Sequence, residues 1–269
     1  MDGALGFVGA GNFTEAMVRG LRSAGVDGAR IFVTTRSRFD RLERLRAAWG
    51  IVPVRDKAAL AAATEILILA VKPQDLNETM AELSPLVTDR HVVITPMAGV
   101  SCATVEGYLN SRVPVIRVMP NLPMAVNASI TPMAYGRYAG PEPRRTAKAL
   151  FQLVGESVEV SEDLMDATTA LSGSGPAYVY LLMEALVDAA LQVGFSLDTA
   201  KDMAVQTIFG TAKLVKETGA EPADLRRRVT SPGGTTAAAL AVLEERGFRA
   251  ALIDAVLRAT ARAKELGSR

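Results

Sequence analysis

Residues 4–21, ALGFVGAGNFTEAMVRGL, decide how the rest of the chain is read. Ala4 to Val8 is a short apolar run of strand type, Gly9-Ala10-Gly11 a tight turn, and Asn12 onward a helical pattern. Strand, glycine turn and helix in that order cradle a pyrophosphate. The first glycine permits the turn and the second lets the backbone approach phosphate, while the helix start offers unpaired N–H groups at the positive end of its dipole. The third position of this fingerprint is Thr14, where glycine or alanine is usual because helix and strand pack closely there.

Outward from this stretch, residues 1 to about 120 alternate short apolar runs with helical patterns. The runs are LGFV (5–8), ARIFV (29–33), EILILAV (65–71), HVVIT (91–95) and VPVIRV (113–118). Between them, Arg38–Trp49 and Leu76–Leu86 carry charged and apolar residues at helical spacing. That alternation predicts a mostly parallel sheet with helices on both faces. Residues 127–135 read as an added edge strand, and 141–153 and 157–160 as a last helix and strand of the same layer. Beyond residue 162 no strand pattern remains. Helices are predicted at 164–171, 176–194, 199–217, 223–229, 235–246 and 248–266, broken at SGSGP, GFSLD, TGAEP, SPGG and RGF. The expected division is therefore a dinucleotide-binding domain over residues 1–162 and an all-helical domain over 163–269.

The segment 176–194, PAYVYLLMEALVDAALQVG, is apolar nearly all round and close to membrane-spanning length. Glu184, Asp188 and Gln192 nevertheless form one polar stripe, and carboxylates facing lipid are costly. A helix buried in an interface between chains is the better reading, with no membrane partner.

The chain has 269 residues, 49% of them hydrophobic, enough for one large or two ordinary cores. A net charge of +1 argues against nucleic acid as the main partner. One cysteine, Cys102, excludes an internal disulfide framework, and one cysteine with one histidine, His91, cannot build a zinc site. His91 opens an apolar run and Cys102 lies at a helix start, so a catalytic Cys–His pair is not expected. No charged and apolar leader precedes the first strand, and a cytoplasmic protein is expected.

The run ending at Thr34 leads into Thr35-Arg36-Ser37-Arg38. A site preferring NAD would carry an acid here for the ribose 2′-hydroxyl; hydroxyls and guanidinium groups suit a 2′-phosphate instead, so NADPH is the expected cofactor. Lys72, in Ala70-Val71-Lys72-Pro73, is a phosphate or ribose contact or a plain surface lysine. Pro96-Met97-Ala98-Gly99 ends another strand, at the expected nicotinamide end. Asn121, in MPNLP, orients a carboxamide or a substrate, or serves as an ordinary turn asparagine.

A second chemical stretch is Thr230-Ser231-Pro232-Gly233-Gly234-Thr235-Thr236. Two glycines and several hydroxyls before a helix make an anion nest of a size that suits a carboxylate; the plainer reading is a helix–helix turn with a threonine cap. No His–Asp pair offers acid catalysis for a carbonyl. An imine needs less help, because hydride addition discharges a positive charge already present.

Six stretches together resemble the pyrroline-5-carboxylate reductase family: GFVGAGN (6–12), AVKP (70–73), AGVS (98–101), VMPNLP (118–123), LSGSGPAY (171–178) and TSPGGTT (230–236). SGSGPAY followed later by SPGGTT is the specific part. The resemblance implies a Rossmann-like α/β domain followed by an all-helical dimerisation domain. It implies interlocked homodimers with the active site between their helical domains, which in this family often assemble into decamers. The implied reaction is NAD(P)H-dependent reduction of 1-pyrroline-5-carboxylate to L-proline, with NADH possible in place of NADPH. It further implies cofactor contacts at Val8, Gly9, Ala10, Gly11, Asn12 and Phe13. Others would fall on Thr35, Arg36, Ser37 and Asp56, on Ala70, Val71, Lys72 and Pro73, and on Pro96, Met97 and Ala98. The substrate carboxylate would meet Ser231, Gly233, Gly234, Thr235 and Thr236, with Thr236 at the imine nitrogen. Thr14, Leu122 and Asp56 depart from the family's usual alanine, threonine and asparagine. A β-hydroxyacid dehydrogenase would instead need a catalytic lysine, for which Lys213 is the candidate, and would leave SPGGTT without a role. A non-catalytic NADP-binding protein is the rival outside the enzymes.

Overall fold

The computed structural model describes residues 3–267. Its first unit is built on one eight-stranded sheet with strands β1 (Leu5–Val8), β2 (Ile31–Thr34), β3 (Val52–Pro53), β4 (Ile66–Leu69), β5 (Val92–Thr95), β6 (Val115–Val118), β7 (Ser129–Tyr135) and β8 (Gly155–Glu159). Their order is β3-β2-β1-β4-β5-β6-β7-β8, parallel throughout except that β7 runs antiparallel to β6. The chain order reverses between β1 and β4. Val8 aligns with Thr34 on one side and Leu69 on the other, so three strands end level and their following loops share one edge. In open α/β sheets the ligand crevice forms at such a point.

The helices of this unit are α1 (Asn12–Ser23), α2 (Phe39–Trp49), α3 (Lys57–Ala63), α4 (Leu76–Leu83), α5 (Cys102–Glu106), α6 (Pro141–Gln152) and the short α7 (Met165–Thr168). Both sheet faces are covered, and side-chain alternation sorts residues between two cores. Phe7, Ile66 and Ile68 join Met17, Leu21 and Phe151 on one face, while Val8, Leu67 and Leu69 join Met80 and Leu83 on the other.

Three local features differ from the sequence pattern. The apolar run at 127–135 predicts an edge strand, but β7 lies inside the sheet. The crossover through α6 returns the chain parallel to it and makes β8 the edge. At the other edge β3 is only two residues, too short to announce itself, and its Pro53 is tolerated where no further strand must be paired. The helix predicted at 164–171 is α7 running into a π turn over Thr169–Gly173, closed by the Ser174 N–H on the Thr169 carbonyl at 2.8 Å.

The second compact unit runs from Gly175 to Leu257 and contains α8 (Gly175–Gln192), α9 (Leu197–Thr218), α10 (Pro222–Arg228), α11 (Thr235–Glu245) and the first half of α12 (Phe248–Gly267), whose end from Arg258 belongs to the first unit. Ser196 caps α9 through the Thr199 N–H, and Gly219 ends it in the left-handed conformation. α8 packs along α9, yet none of its residues is buried within the chain. Leu181 is 66% exposed and Phe209, on α9, 59%. Among the described residues no helix is long and apolar enough to cross a membrane.

Candidate active site

In the first unit the candidate region is the turn between β1 and α1. Gly9 has φ +116°, and a Cβ there would run into the Ala70 carbonyl. Its N–H donates to the Thr34 carbonyl at 2.9 Å, so the turn is held to the end of β2. Its carbonyl accepts from the Thr14 hydroxyl at 2.6 Å, with Thr14 fully buried. The departure from the usual small residue therefore adds a bond that stiffens the turn. Gly11 is the N-cap, extended, with no side-chain cap. The first helical bond is from the Glu15 N–H to the Gly11 carbonyl at 3.1 Å, which leaves the N–H groups of Asn12, Phe13 and Thr14 without helical acceptors. Around Gly11 the nearest atom to an added Cβ is the Ala70 oxygen, 3.9 Å away.

This turn opens onto a cleft of about 940 Å³. Val8 to Phe13, Thr35 to Ser37, Asp56 and Ala70 to Lys72 all line it. Pro73 opens the adjoining 3₁₀ turn and is not on the wall, nor are Pro96, Met97 and Ala98. The last three follow β5, with Met97 buried in the same core as Val8. Asp56 caps α3, its carboxylate accepting from the Ala59 N–H at 2.7 Å. Aspartate and asparagine cap a helix comparably well, which accounts for the substitution.

The cleft also gathers charges that the glycine pattern does not announce. Arg41 bonds Glu15 at 2.5 Å and Asn12 at 2.7 Å, and Lys57 bonds Glu82 at 2.7 Å. Arg36 is hydrogen-bonded to Glu78. Arg38, Arg55 and Lys72 line the cleft with no acidic partner in an ion pair among the described residues. Open helix N–H groups, a backbone turn without side chains and unpaired cations fit a polyanionic dinucleotide. The α4 acids stand 42 residues or more from Arg36 in the chain, and nothing in the local pattern links them.

Asn121 ties the chain to itself. Its Nδ2 donates to the Ser172 carbonyl at 3.1 Å, and its Oδ1 accepts from the Ile130 N–H at 3.2 Å. His91 is buried, with Nδ1 accepting from the Thr88 N–H at 2.9 Å and Nε2 lying 3.0 Å from the Ala61 carbonyl. Burial, followed by the charge of Glu162, pushes the Cys102 thiol up to about 12, so it stays protonated. The two are not hydrogen-bonded to each other, and each has backbone partners of its own.

In the second unit, described by itself, the candidate region is the loop before α11. Gly233 has φ +69° and Gly234 is the N-cap, its N–H donating to the Ser231 carbonyl at 3.1 Å. No hydroxyl caps the helix. The first helical bond is from the Ala238 N–H to the Gly234 carbonyl at 3.1 Å, so the N–H groups of Thr235, Thr236 and Ala237 have no helical acceptors. The threonine-cap reading is therefore not what the chain adopts. A glycine holds the cap, and the helix end stays open beside the hydroxyl-bearing residues Ser231, Thr235 and Thr236. Lys213 lies in an exposed pair with Glu217, at 3.6 Å.

Residues 162–266 match the family model described as pyrroline-5-carboxylate reductase dimerisation. Residues 4–99 match the model described as NADP oxidoreductase coenzyme F420-dependent. A pyrroline-5-carboxylate reductase of Methanosarcina acetivorans is 40% identical over 98% of both chains, and one of Synechocystis 41% identical over 98% of both. Among solved structures, a pyrroline-5-carboxylate reductase from Coxiella burnetii superposes with a TM-score of 0.90 at 36% identity, over 99% of both chains. The Plasmodium falciparum pyrroline carboxylate reductase with NADP bound gives 0.89 at 28% identity, over 99% of this chain and 98% of that one.

Proposed function

The chain belongs to the pyrroline-5-carboxylate reductase family, and from that premise we propose how its residues divide the work of the reaction. The enzyme reduces 1-pyrroline-5-carboxylate to L-proline, the last step of proline biosynthesis, with NADP(H) as cofactor. When bound, the nicotinamide supplies the hydride, which adds to the C=N carbon while the ring nitrogen ends protonated.

The open N–H groups of Asn12 and Phe13, beside Gly9 and Gly11, hold the pyrophosphate. Thr35, Arg36 and Ser37 take the adenosine ribose and its 2′-phosphate, so NADPH is preferred to NADH. Asp56 and Ala70 to Lys72 shape the cleft wall, Pro73 fixes the turn beside it, and Pro96, Met97 and Ala98 present backbone toward the nicotinamide. The N–H groups and hydroxyls of Ser231, Gly233, Gly234, Thr235 and Thr236 hold the substrate carboxylate, and the Thr236 hydroxyl hydrogen-bonds the imine nitrogen. Thr236 is the catalytic residue in the sense of positioning and electrostatics, since the protonated imine needs no stronger acid. Asn121 acts on substrate through the segment it anchors at Ser172. The boundary between the two functional parts is drawn between residues 162 and 163, a reading supported by the dimerisation model's match from residue 162 onward. The working form is a homodimer, assembling further into a decamer, in the cytoplasm.

The observation that carries this reading is the pair of uncapped helix starts, each opened by glycine, at α1 and α11. The test is to follow NADPH oxidation and proline formation with authentic pyrroline-5-carboxylate. Stoichiometric proline is expected; turnover confined to a hydroxyacid substrate would overturn the assignment.

A further inference from the structure

Three ion pairs have their cation on the wall of the cofactor cleft, and they are not alike. In Arg41–Glu15 and Lys57–Glu82 the cation is largely buried, at 15% and 16% exposure, so these two cations are fixed parts of the wall. In Arg36–Glu78 both partners are open to solvent, at 63% and 57%. Neither is desolvated, so the pair is free to exchange for another partner. It also lies where the sheet reads the ribose: Arg36 follows β2, and Glu78 reaches it from the first turn of α4, 42 residues later. Glu78 hydrogen-bonds Arg36, and the charges of Asp75 and Glu82 add to its hold, raising the guanidinium above its ordinary range.

The two nicotinamide cofactors differ only at the ribose 2′ position, and the two members of this pair respond oppositely to that difference. A 2′-phosphate competes with Glu78 for Arg36 and is repelled by the carboxylate. A 2′-hydroxyl donates to the carboxylate and leaves the ion pair intact. We propose that Glu78 is a specificity-determining residue that acts through Arg36. It holds the guanidinium against the incoming 2′-phosphate and offers an acceptor to a 2′-hydroxyl, which narrows the advantage of NADPH over NADH. This supplies from α4 the carboxylate that a site preferring NADH carries at the end of β2.

The inference rests on the cleft being the cofactor site, so its test separates the two. Adenosine 2′,5′-bisphosphate and 5′-AMP are titrated calorimetrically into the full-length wild type, Glu78→Gln, Asp75→Asn, Arg36→Ala and the Arg36→Ala/Glu78→Gln double variant. KM for NADPH and NADH is measured on the same preparations. Glu78→Gln is expected to bind the bisphosphate about three- to fivefold more tightly, the range of an exposed ion pair. AMP binding should be unchanged or weaker, and the KM ratio should move toward NADPH by a similar factor. Asp75→Asn should not reproduce this selectivity, and the gain should vanish when Arg36 is alanine. Equal shifts for both probes, the same selectivity from Asp75→Asn, or a gain that survives Arg36→Ala would overturn the role of Glu78 while leaving the reductase assignment standing. Failure of the wild type to bind either probe would overturn both.

Discussion

Two helices of this chain start alike and are held very differently. α1 and α11 each follow a glycine N-cap, and each leaves three N–H groups uncapped. At α1 the turn is clamped on every side: Thr34 accepts from the Gly9 N–H, the Ala70 carbonyl stands where a side chain would be, and the Thr14 hydroxyl closes on the Gly9 oxygen. At α11 the only backbone bond inside the glycine turn among the described residues is from Gly234 to Ser231, and Ser231 and Thr235 are exposed. The same contrast separates the two units. α1 fully buries Met17, Val18 and Leu21, whereas α8, far more apolar, has no fully buried residue within the chain. Composition alone does not bury a helix; a surface to pack on does. The first unit carries its own; the second, which falls within the match to the dimerisation model, leaves the apolar face of α8 exposed within the chain.

This contrast makes the clamped turn the point expected to be most sensitive to substitution. Gly9→Ala places a Cβ on the Ala70 carbonyl at a φ that L-residues avoid. It should cost about 2 kcal/mol or more and abolish NADPH binding, read by thermal unfolding and fluorescence titration. On the other side, Leu181→Glu on α8 should leave helix content intact by circular dichroism but yield a monomer in sedimentation velocity, with activity down at least about tenfold, the loss of a hot-spot contact. A dimer unaffected by this charge would show that α8 is not covered by a second copy.

Smaller effects sharpen the comparison. Thr236→Ala removes a hydroxyl from the open turn without touching a packed core. It should lower kcat by about 10- to 100-fold, the worth of a hydrogen bond to a charged group, with an unchanged melting temperature. Unchanged kcat and KM would remove Thr236 from the chemistry. Thr14→Val keeps the shape and deletes the bond to Gly9. It should cost about 1 kcal/mol in stability and raise the KM for NADPH; an unaltered melting temperature would mean the turn does not depend on that bond.

Much of this is legible in the sequence. The glycine turn at 9–11, the parallel alternation, the change to helices after residue 162 and the open loop at 231–236 are all short-range patterns. Backbone conformation follows from spacings of two to four residues and from glycine. Several roles were not legible for the complementary reason. Thr14 reads as a flaw in a fingerprint until its hydroxyl is seen on Gly9, and Asp56 as an unwelcome charge until it caps α3. Asn121 reads equally as a turn residue or a ligand contact until both ends of its amide are found bonded to Ser172 and Ile130.

By itself the sequence determined most of the strands and helices, the two glycine-opened helix starts, and the family. Those properties are local, set by residue type and period along the chain. Only the tertiary structure decided that β7 lies inside the sheet, that Glu78 meets Arg36 across 42 residues, and that Met97 faces the core. Such pairings depend on how distant segments share space, and no spacing along the chain encodes which charge will face which.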